Sequence, residues 1–165
     1  MSMKKVLFHE RQYFRQAAVW ILVAATDLVV VASLVYMLTM EQDSADQAAL
    51  WAIYGSLLLC LVMTGMFLRT CLEVKVTTSG IHYRFTLFQR GPHLLEPAMV
   101  QQWVIRDIRP VMEFGGFGIR KSKNGTAYLV SGKKAVVFDL KDGKKLVIGT
   151  QKPDALESAL RQLIH

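Results

Sequence analysis

The sequence of 165 residues is poor in the groups from which metal sites and catalytic sites are usually built. It has two cysteines, Cys60 and Cys71, and four scattered histidines, none of which has a cysteine or carboxylate at metal-ligand spacing. No Walker loop is present, and no spacing singles out a Ser or Cys nucleophile with its base. We therefore expect no enzyme, no metal site and no cofactor.

Charge is almost absent between Gln16 and Arg69, where the only charged residues are acidic: Asp27, Glu41, Asp43 and Asp46. The whole sequence is 52% hydrophobic and has a net charge of +7. The basic excess lies mainly after Arg69, where the chain carries 16 basic and 8 acidic residues counted from Arg69 itself. This uneven distribution excludes a single soluble globule, a disordered chain and a disulfide-stapled secreted miniprotein.

Two long apolar runs account for the excess of hydrophobic residues. The first, 17–40, is interrupted by few polar residues, and the second, 48–68, contains no charge. A bilayer core is spanned by about 20 apolar helical residues, so each run predicts a transmembrane helix, and the short acidic segment between them predicts a helical hairpin. A cleaved signal peptide is the alternative for the first run, but its apolar region is too long and a second run follows at once.

Basic residues flank the hairpin on both outer sides. Residues 1–16 carry four basic residues against one acidic residue, the intervening loop carries none, and Arg69 and Lys75 follow the second run. Positive charge is retained on the cytoplasmic side, so both termini are expected in the cytoplasm. Segment 3–15 mixes apolar and basic residues and predicts a short interfacial helix. Residues 1–69 are thus assigned to a membrane anchor and 70–165 to a cytoplasmic domain.

Asp27 is the candidate polar site within the membrane, since it lies near the middle of the first run. A functional interpretation makes it part of an ion or proton relay. A structural interpretation has it protonated and hydrogen-bonded to a hydroxyl of the second helix, with Tyr54, Ser56 and Thr64 as candidates. We favour the structural interpretation, because a relay needs several ionisable groups and the second run offers none.

After Arg69 the hydrophobic period changes from helical to two, which is typical of half-buried strands. Turn residues at Ser79-Gly80, Asn124-Gly125, Ser131-Gly132 and Asp142-Gly143 separate the alternating runs, and the Asn-Gly and Asp-Gly pairs favour two-residue hairpins. Gln89–Pro97 is predicted as a loop. The seven predicted strands are 72–77, 81–87, 103–108, 118–123, 126–131, 134–140 and 145–149.

An amphipathic helix is predicted to follow the strands. Pro153 suits a first helical position, and an apolar stripe at helical spacing continues from it through Leu156, Ala159, Leu160, Leu163 and Ile164. The fold class is therefore α+β, with a transmembrane hairpin followed by an antiparallel β-barrel or sandwich and a C-terminal helix.

This plan resembles pleckstrin-homology-like (PH-like) domains, and the order of anchor and domain resembles bacterial membrane-anchored PH-like proteins. The stretches that match are 74–81, 113–120 and 146–153. The resemblance implies a multi-pass protein of the bacterial inner membrane and brings no catalytic residues. It also implies an architectural role for the motif residues Gly115, Gly116, Gly118, Gly149 and Pro153. No phosphoinositide motif is matched, so lipid binding by eukaryotic PH domains does not carry over.

Gly115-Gly116-Phe117-Gly118 lacks the strand and helix that a dinucleotide-binding loop requires, so we expect a bend with Phe114 and Phe117 packed inward. Basic side chains cluster near the predicted turns and could keep sheet edges soluble, contact anionic lipid or bind a partner. These candidates are Lys121, Lys123, Lys133, Lys134, Lys141, Lys144 and Lys145.

The sequence therefore predicts a non-enzymatic binding or scaffolding module that is integral to the bilayer. Its expected partners are another membrane protein, a second copy of the chain, a peptide or anionic lipid head groups. We do not expect nucleic acid, because no aromatic RNA-binding platform is present. The alternative function is a subunit of a transport or proton-coupled membrane complex that uses Asp27.

Overall fold

The computed structural model describes residues 5–14, 17–39, 47–86 and 91–164. The two predicted apolar helices are confirmed as α1, Ala17–Thr39, and α2, Gln47–Arg69. Both are long and apolar enough to cross a membrane by length and composition. Met40 and most of the predicted acidic loop lie outside the described residues.

The two helices pack along one face of each. The half-buried residues of α1 include Val23, Asp27, Val30 and Leu34, which recur at three- or four-residue spacing as a helix–helix contact requires. Thr64 of α2 donates a hydrogen bond to Asp27 Oδ2 at 3.3 Å. The predicted contact between Asp27 and a hydroxyl of the second helix is thus confirmed, with Thr64 as the donor.

The N-terminal segment is a strand, β1, Val6–Tyr13, and the predicted interfacial helix over 3–15 is wrong. Along β1 the buried residues are Phe8, Glu10 and Gln12, while His9 and Arg11 are exposed. Two of the three inward residues are polar, so the alternation of apolar and polar residues that reveals a strand is hidden in the sequence. Residues 5–14 therefore join the β-rich unit of residues 70–164, and the helices form a separate unit that ends at Arg69. The predicted division after residue 69 agrees with this, whereas the assignment of the N-terminal segment to the anchor is wrong.

Within the described residues, eight strands follow the helices, one more than predicted, and together with β1 they form two sheets. They are β2 Cys71–Thr77, β3 Gly80–Phe85, β4 His93–Leu95, β5 Val100–Asp107, β6 Gly118–Ser122, β7 Gly125–Leu129, β8 Lys134–Leu140 and β9 Lys145–Thr150. The N-terminal sheet has the order β1-β2-β3-β4 and the C-terminal sheet the order β5-β8-β9-β7-β6. The architecture is α+β with two sheets in place of a closed barrel.

The hairpins predicted at Ser79-Gly80, Asn124-Gly125 and Asp142-Gly143 are confirmed by antiparallel pairing of the flanking strands. The expectation of an all-antiparallel arrangement is wrong, because β7 pairs with β9 in parallel. The break at Ser131-Gly132 is therefore a crossover between non-neighbouring strands. Three short elements were also missed. They are β4, inside the predicted loop, the 3-10 helix Pro97–Met99 that follows it, and helix α3, Pro110–Phe114, which begins at a proline interpreted only as the end of a strand.

One apolar core lies between the two sheets and includes the C-terminal helix α4, Pro153–Leu163. α4 starts at the predicted proline, and the predicted stripe faces the core, with Leu156, Ala159 and Leu160 buried. The helix packs on strands of both sheets, namely β1, β2 and β8. The core residues of the sheets include Leu72, Val74, Val76, Ile81, Phe85, Tyr128, Val130, Val136, Phe138, Leu146 and Ile148.

A buried polar contact ties β1 to the end of β9. Glu10, only 4% exposed, accepts hydrogen bonds from Thr150 Oγ1 and from the Gln151 backbone N–H, both at 2.8 Å. The fully buried Gln12 donates from Nε2 to the Gly149 carbonyl at 2.6 Å. Because buried polar groups are costly unless they are hydrogen-bonded, these contacts fix β1 in one register against the C-terminal part of the domain.

Candidate binding groove

A groove of about 370 Å³ crosses the face of the C-terminal sheet that points away from the main core. Its floor is one row of apolar side chains running across four strands. Val104 of β5 pairs with Val137 of β8, which pairs with Val147 of β9, which pairs with Ala127 of β7. Cross-strand partners share a face, so the register itself makes this row continuous. We call this feature the sheet groove.

Two ion pairs border the floor of the sheet groove. Arg106 Nη2 lies 2.7 Å from Glu113 Oε2, and Lys145 Nζ lies 3.2 Å from Asp139 Oδ1. The Arg106 hydrogen bond, helped by the Arg109 backbone N–H, holds the pKa of Glu113 below its usual value. A hydrogen bond from Gln102 at 2.6 Å, together with Lys145, lowers the pKa of Asp139 in the same way. Both carboxylates are therefore ionised at neutral pH and neutralise their basic partners.

The end of the groove on β6 is cationic. Arg120 and Lys121 line it, and neither forms an ion pair with any residue that the structure describes. The Arg120 guanidinium lies against the glycine-rich loop, where a Cβ on Gly116 would come within 3.0 Å of Nη2. The groove thus combines an apolar floor with an uncompensated positive charge at one end.

The helix α3 and the glycine-rich loop cover the neighbouring part of the same sheet face. As predicted, Phe114 and Phe117 pack inward, onto a second apolar cluster that contains Ile108 and Leu129 and also the buried floor residues Val137, Val147 and Ala127. Gly115 ends α3 in the left-handed conformation with φ of 71°, and Gly116 and Gly118 also have positive φ. The glycines therefore allow the bend that brings both aromatic rings back to the sheet.

The structure brings five of the seven candidate lysines to one end of the C-terminal sheet. The β6–β7 and β8–β9 turns lie side by side there, since the Lys145 N–H donates to the Asn124 carbonyl at 2.8 Å. The five are Lys121, Lys123, Lys141, Lys144 and Lys145. Lys144 pairs with Asp142 at 3.4 Å, so it is partly neutralised as Lys145 is. Lys133 and Lys134 lie at the opposite end of the sheet, where Lys134 pairs in register with Thr150 and Asp107.

The remaining predicted residues lie apart from the groove. Gly149 lies in β9, where its carbonyl accepts the Gln12 hydrogen bond, and Pro153 opens α4. Asp27 lies in the helical hairpin, where it accepts the Thr64 hydrogen bond. A transport or relay role for Asp27 stays an untested prediction.

Sequence reasoning missed the residues that build most of the sheet groove. Val104, Arg106 and Asp139 were not singled out, since each belongs to an ordinary alternating strand. The signal that could have found them is the outward set of β5, which holds Gln102, Val104 and Arg106 at a spacing of two. Recognising the groove also requires the β5–β8–β9–β7 order, which involves a crossover that no local pattern indicates.

Comparison with known proteins adds no relative to this description. No protein-family model matches the chain, and no curated protein matches it either.

Proposed function

We propose that the protein is a non-enzymatic binding or scaffolding module that the α1–α2 hairpin anchors in the bacterial inner membrane. Its PH-like β domain faces the cytoplasm. The PH-like assignment is supported by two sheets that share one core with a C-terminal helix. The cytoplasmic orientation is supported by the basic residues on the outer flanks of the hairpin.

The pairing of β1 with β2 is the observation that carries this proposal. Tyr13, four residues before the start of α1, pairs with Cys71, two residues after the end of α2. Strands that pair must lie on the same side of a membrane. The two helices must therefore cross it an even number of times, as a hairpin does. Because β1 belongs to the domain core, the anchor is inserted within the binding domain.

The partner that fits the sheet groove is an acidic peptide segment with at least one apolar side chain, contributed by another membrane protein. The exposed Val104 offers apolar contact beside the buried Val137 and Val147. Arg120 with Lys121 offers charge for a carboxylate. Paired charges along the border would fix the register of the bound segment more than its affinity. A second copy of this chain is the other occupant that the test must distinguish.

Photo-crosslinking from position 104 in native membranes tests this role. Val104 is 51% exposed in the groove, and Met112 is 78% exposed on α3 outside its lining. A crosslinker at 104 should give one discrete product of a different polypeptide, whereas one at 112 should not. Arg120→Glu should reduce that product about tenfold, and Lys133→Glu should leave it unchanged. Identical products from both positions, a self-adduct, or insensitivity to Arg120→Glu would contradict the proposal.

A further inference from the structure

The outer face of the N-terminal sheet carries a grid of ionisable side chains. The register places His9 opposite Lys75 and Lys75 opposite His82 in one row. The next row aligns Arg11, Glu73 and Arg84. Residues two apart on a strand share a face, so all six side chains project from the same surface. One carboxylate therefore lies among three cations and two histidines.

Glu73 neutralises only part of this positive charge. Its Oε1 lies 2.9 Å from His9 Nε2, 3.2 Å from Arg11 Nε and 2.9 Å from Lys75 Nζ. The Lys75 hydrogen bond is the main cause that lowers the pKa of Glu73 to about 2. The carboxylate is thus fully ionised at neutral pH, and its contacts lie on the β1 and β2 side of the grid.

Arg84, on β3, is left without a counterion among the described residues. Its Nε is shielded from solvent and has no hydrogen-bond partner within that part of the chain. A buried N–H of a guanidinium that lacks an acceptor is costly, so this donor is poised for an acceptor that is not a residue described here.

A cavity of about 330 Å³ opens beside this donor. Lys75, His82 and Arg84 line it together with Thr77, Tyr83 and Pro92, and Glu73 borders it. Tyr83 stacks on His93 with 5.5 Å between ring centroids, and burial is the main cause that raises its pKa to about 12. Among the described residues that line the cavity, Glu73 is the single negative charge against the two fixed positive charges of Lys75 and Arg84.

We propose that this cavity is an anion site for the phosphate group of an anionic membrane lipid, with Arg84 as the principal donor and Lys75 as a second cation. The site is distinct from the sheet groove and rests on the proposed membrane anchorage. A guanidinium can donate two parallel hydrogen bonds to phosphate oxygens, and the shielded Nε–H is one of them.

Lipid is the favoured source of the phosphate because of how the chain enters this sheet. Glu73 follows Arg69, the last residue of α2, by four residues. Four residues span at most about 14 Å, so the grid cannot lie far from the end of a helix that crosses the bilayer. Head-group phosphates lie at that boundary.

Calorimetric titration of the full chain in a non-ionic detergent tests the site. The probes are short-chain phosphatidylglycerol, short-chain phosphatidylcholine and inorganic phosphate. Phosphatidylglycerol should bind, and Arg84→Gln should weaken its binding about tenfold or more, since charge-assisted hydrogen bonds are the strong ones. Lys133→Gln removes one exposed charge at the far end of the other sheet and should change binding less than twofold.

Glu73→Gln should change the affinity for phosphatidylglycerol in the opposite direction. It removes the competing carboxylate and should tighten phosphatidylglycerol binding several-fold, so the test stands even if Arg84→Gln does not fold. The proposal is overturned if wild type does not bind phosphatidylglycerol, if Arg84→Gln or Glu73→Gln leaves binding unchanged, or if Lys133→Gln weakens it equally. Equal affinity for inorganic phosphate or phosphatidylcholine would overturn the assignment to an anionic lipid.

Discussion

Removing residues 15–69 and joining Phe14 to Thr70 through a short glycine-containing turn should yield a water-soluble protein that folds cooperatively. The paired residues Tyr13 and Cys71 become the last positions before a tight hairpin turn, which antiparallel strands accept. All the strands, the shared core and α4 are retained. Far-ultraviolet circular dichroism and denaturant unfolding measure the result.

The matched control is residues 70–165 alone, which lack β1. This fragment loses Phe8 from the core, the β1–β2 pairing, and the contacts of Glu10 and Gln12 with the end of β9. The inward side chains of this edge strand are part of the core, and their loss is large against the roughly 5–15 kcal/mol margin of a typical domain, so the fragment should not fold cooperatively. Equal unfolding midpoints for the fragment and the joined protein would show that β1 is dispensable.

Gly125→Ala should destabilise the domain more than any other glycine substitution in the C-terminal sheet. Gly125 has φ of +151°, and a Cβ there would lie 1.9 Å from the Lys145 carbonyl oxygen. That oxygen belongs to the backbone of the parallel partner strand, so β7 and β9 would have to separate. Backbone strain of about 1–2 kcal/mol adds to an overpacking cost of about 1–3 kcal/mol, giving an expected loss of about 2–5 kcal/mol.

Gly143→Ala is the control for backbone strain alone. Gly143 has φ of +79° in the β8–β9 turn, but no atom outside its own chain neighbours lies within 4 Å of the Cβ position. It should cost only about 1–2 kcal/mol. Both variants can be compared in the joined protein, where Trp103 remains as the single tryptophan reporter of unfolding. Equal losses would show that the close approach of β7 to β9 is not what demands glycine.

The parts of the fold that could be predicted are those encoded by local pattern. The length of the two apolar runs predicts α1 and α2, and the Asn-Gly and Asp-Gly pairs predict two hairpin turns. Pro153 and the apolar stripe that follows it predict α4. Each depends on residues close together in the sequence, where period and turn chemistry are informative.

The parts that could not be predicted depend on distant pairing. β1 was mistaken for a helix because Glu10 and Gln12 point into the core, where their partners lie about 140 positions away. The β7–β9 parallel pair leaves no local signal. Without it, neither the apolar floor of the sheet groove nor the close approach of the two lysine-bearing turns can be deduced. The Arg84 cavity likewise needs the β1–β2–β3 register, which joins residues on both sides of the hairpin.

Disulfide trapping in the intact chain tests most directly the central claim, that the membrane hairpin is inserted between two paired strands. His9 and Lys75 face each other across β1 and β2. Opposed residues have Cα atoms about 4.5–5.5 Å apart, within the range of a disulfide. With both native cysteines replaced by serine, His9→Cys/Lys75→Cys is oxidised in native membranes, and the chain is then cut at a protease site introduced between the helices.

The two fragments should stay joined until the disulfide is reduced. His9→Cys/Arg84→Cys, which places the second cysteine one strand further away on β3, should give separate fragments under the same treatment. Separate fragments from the His9→Cys/Lys75→Cys chain, or equal trapping in both chains, would contradict the account.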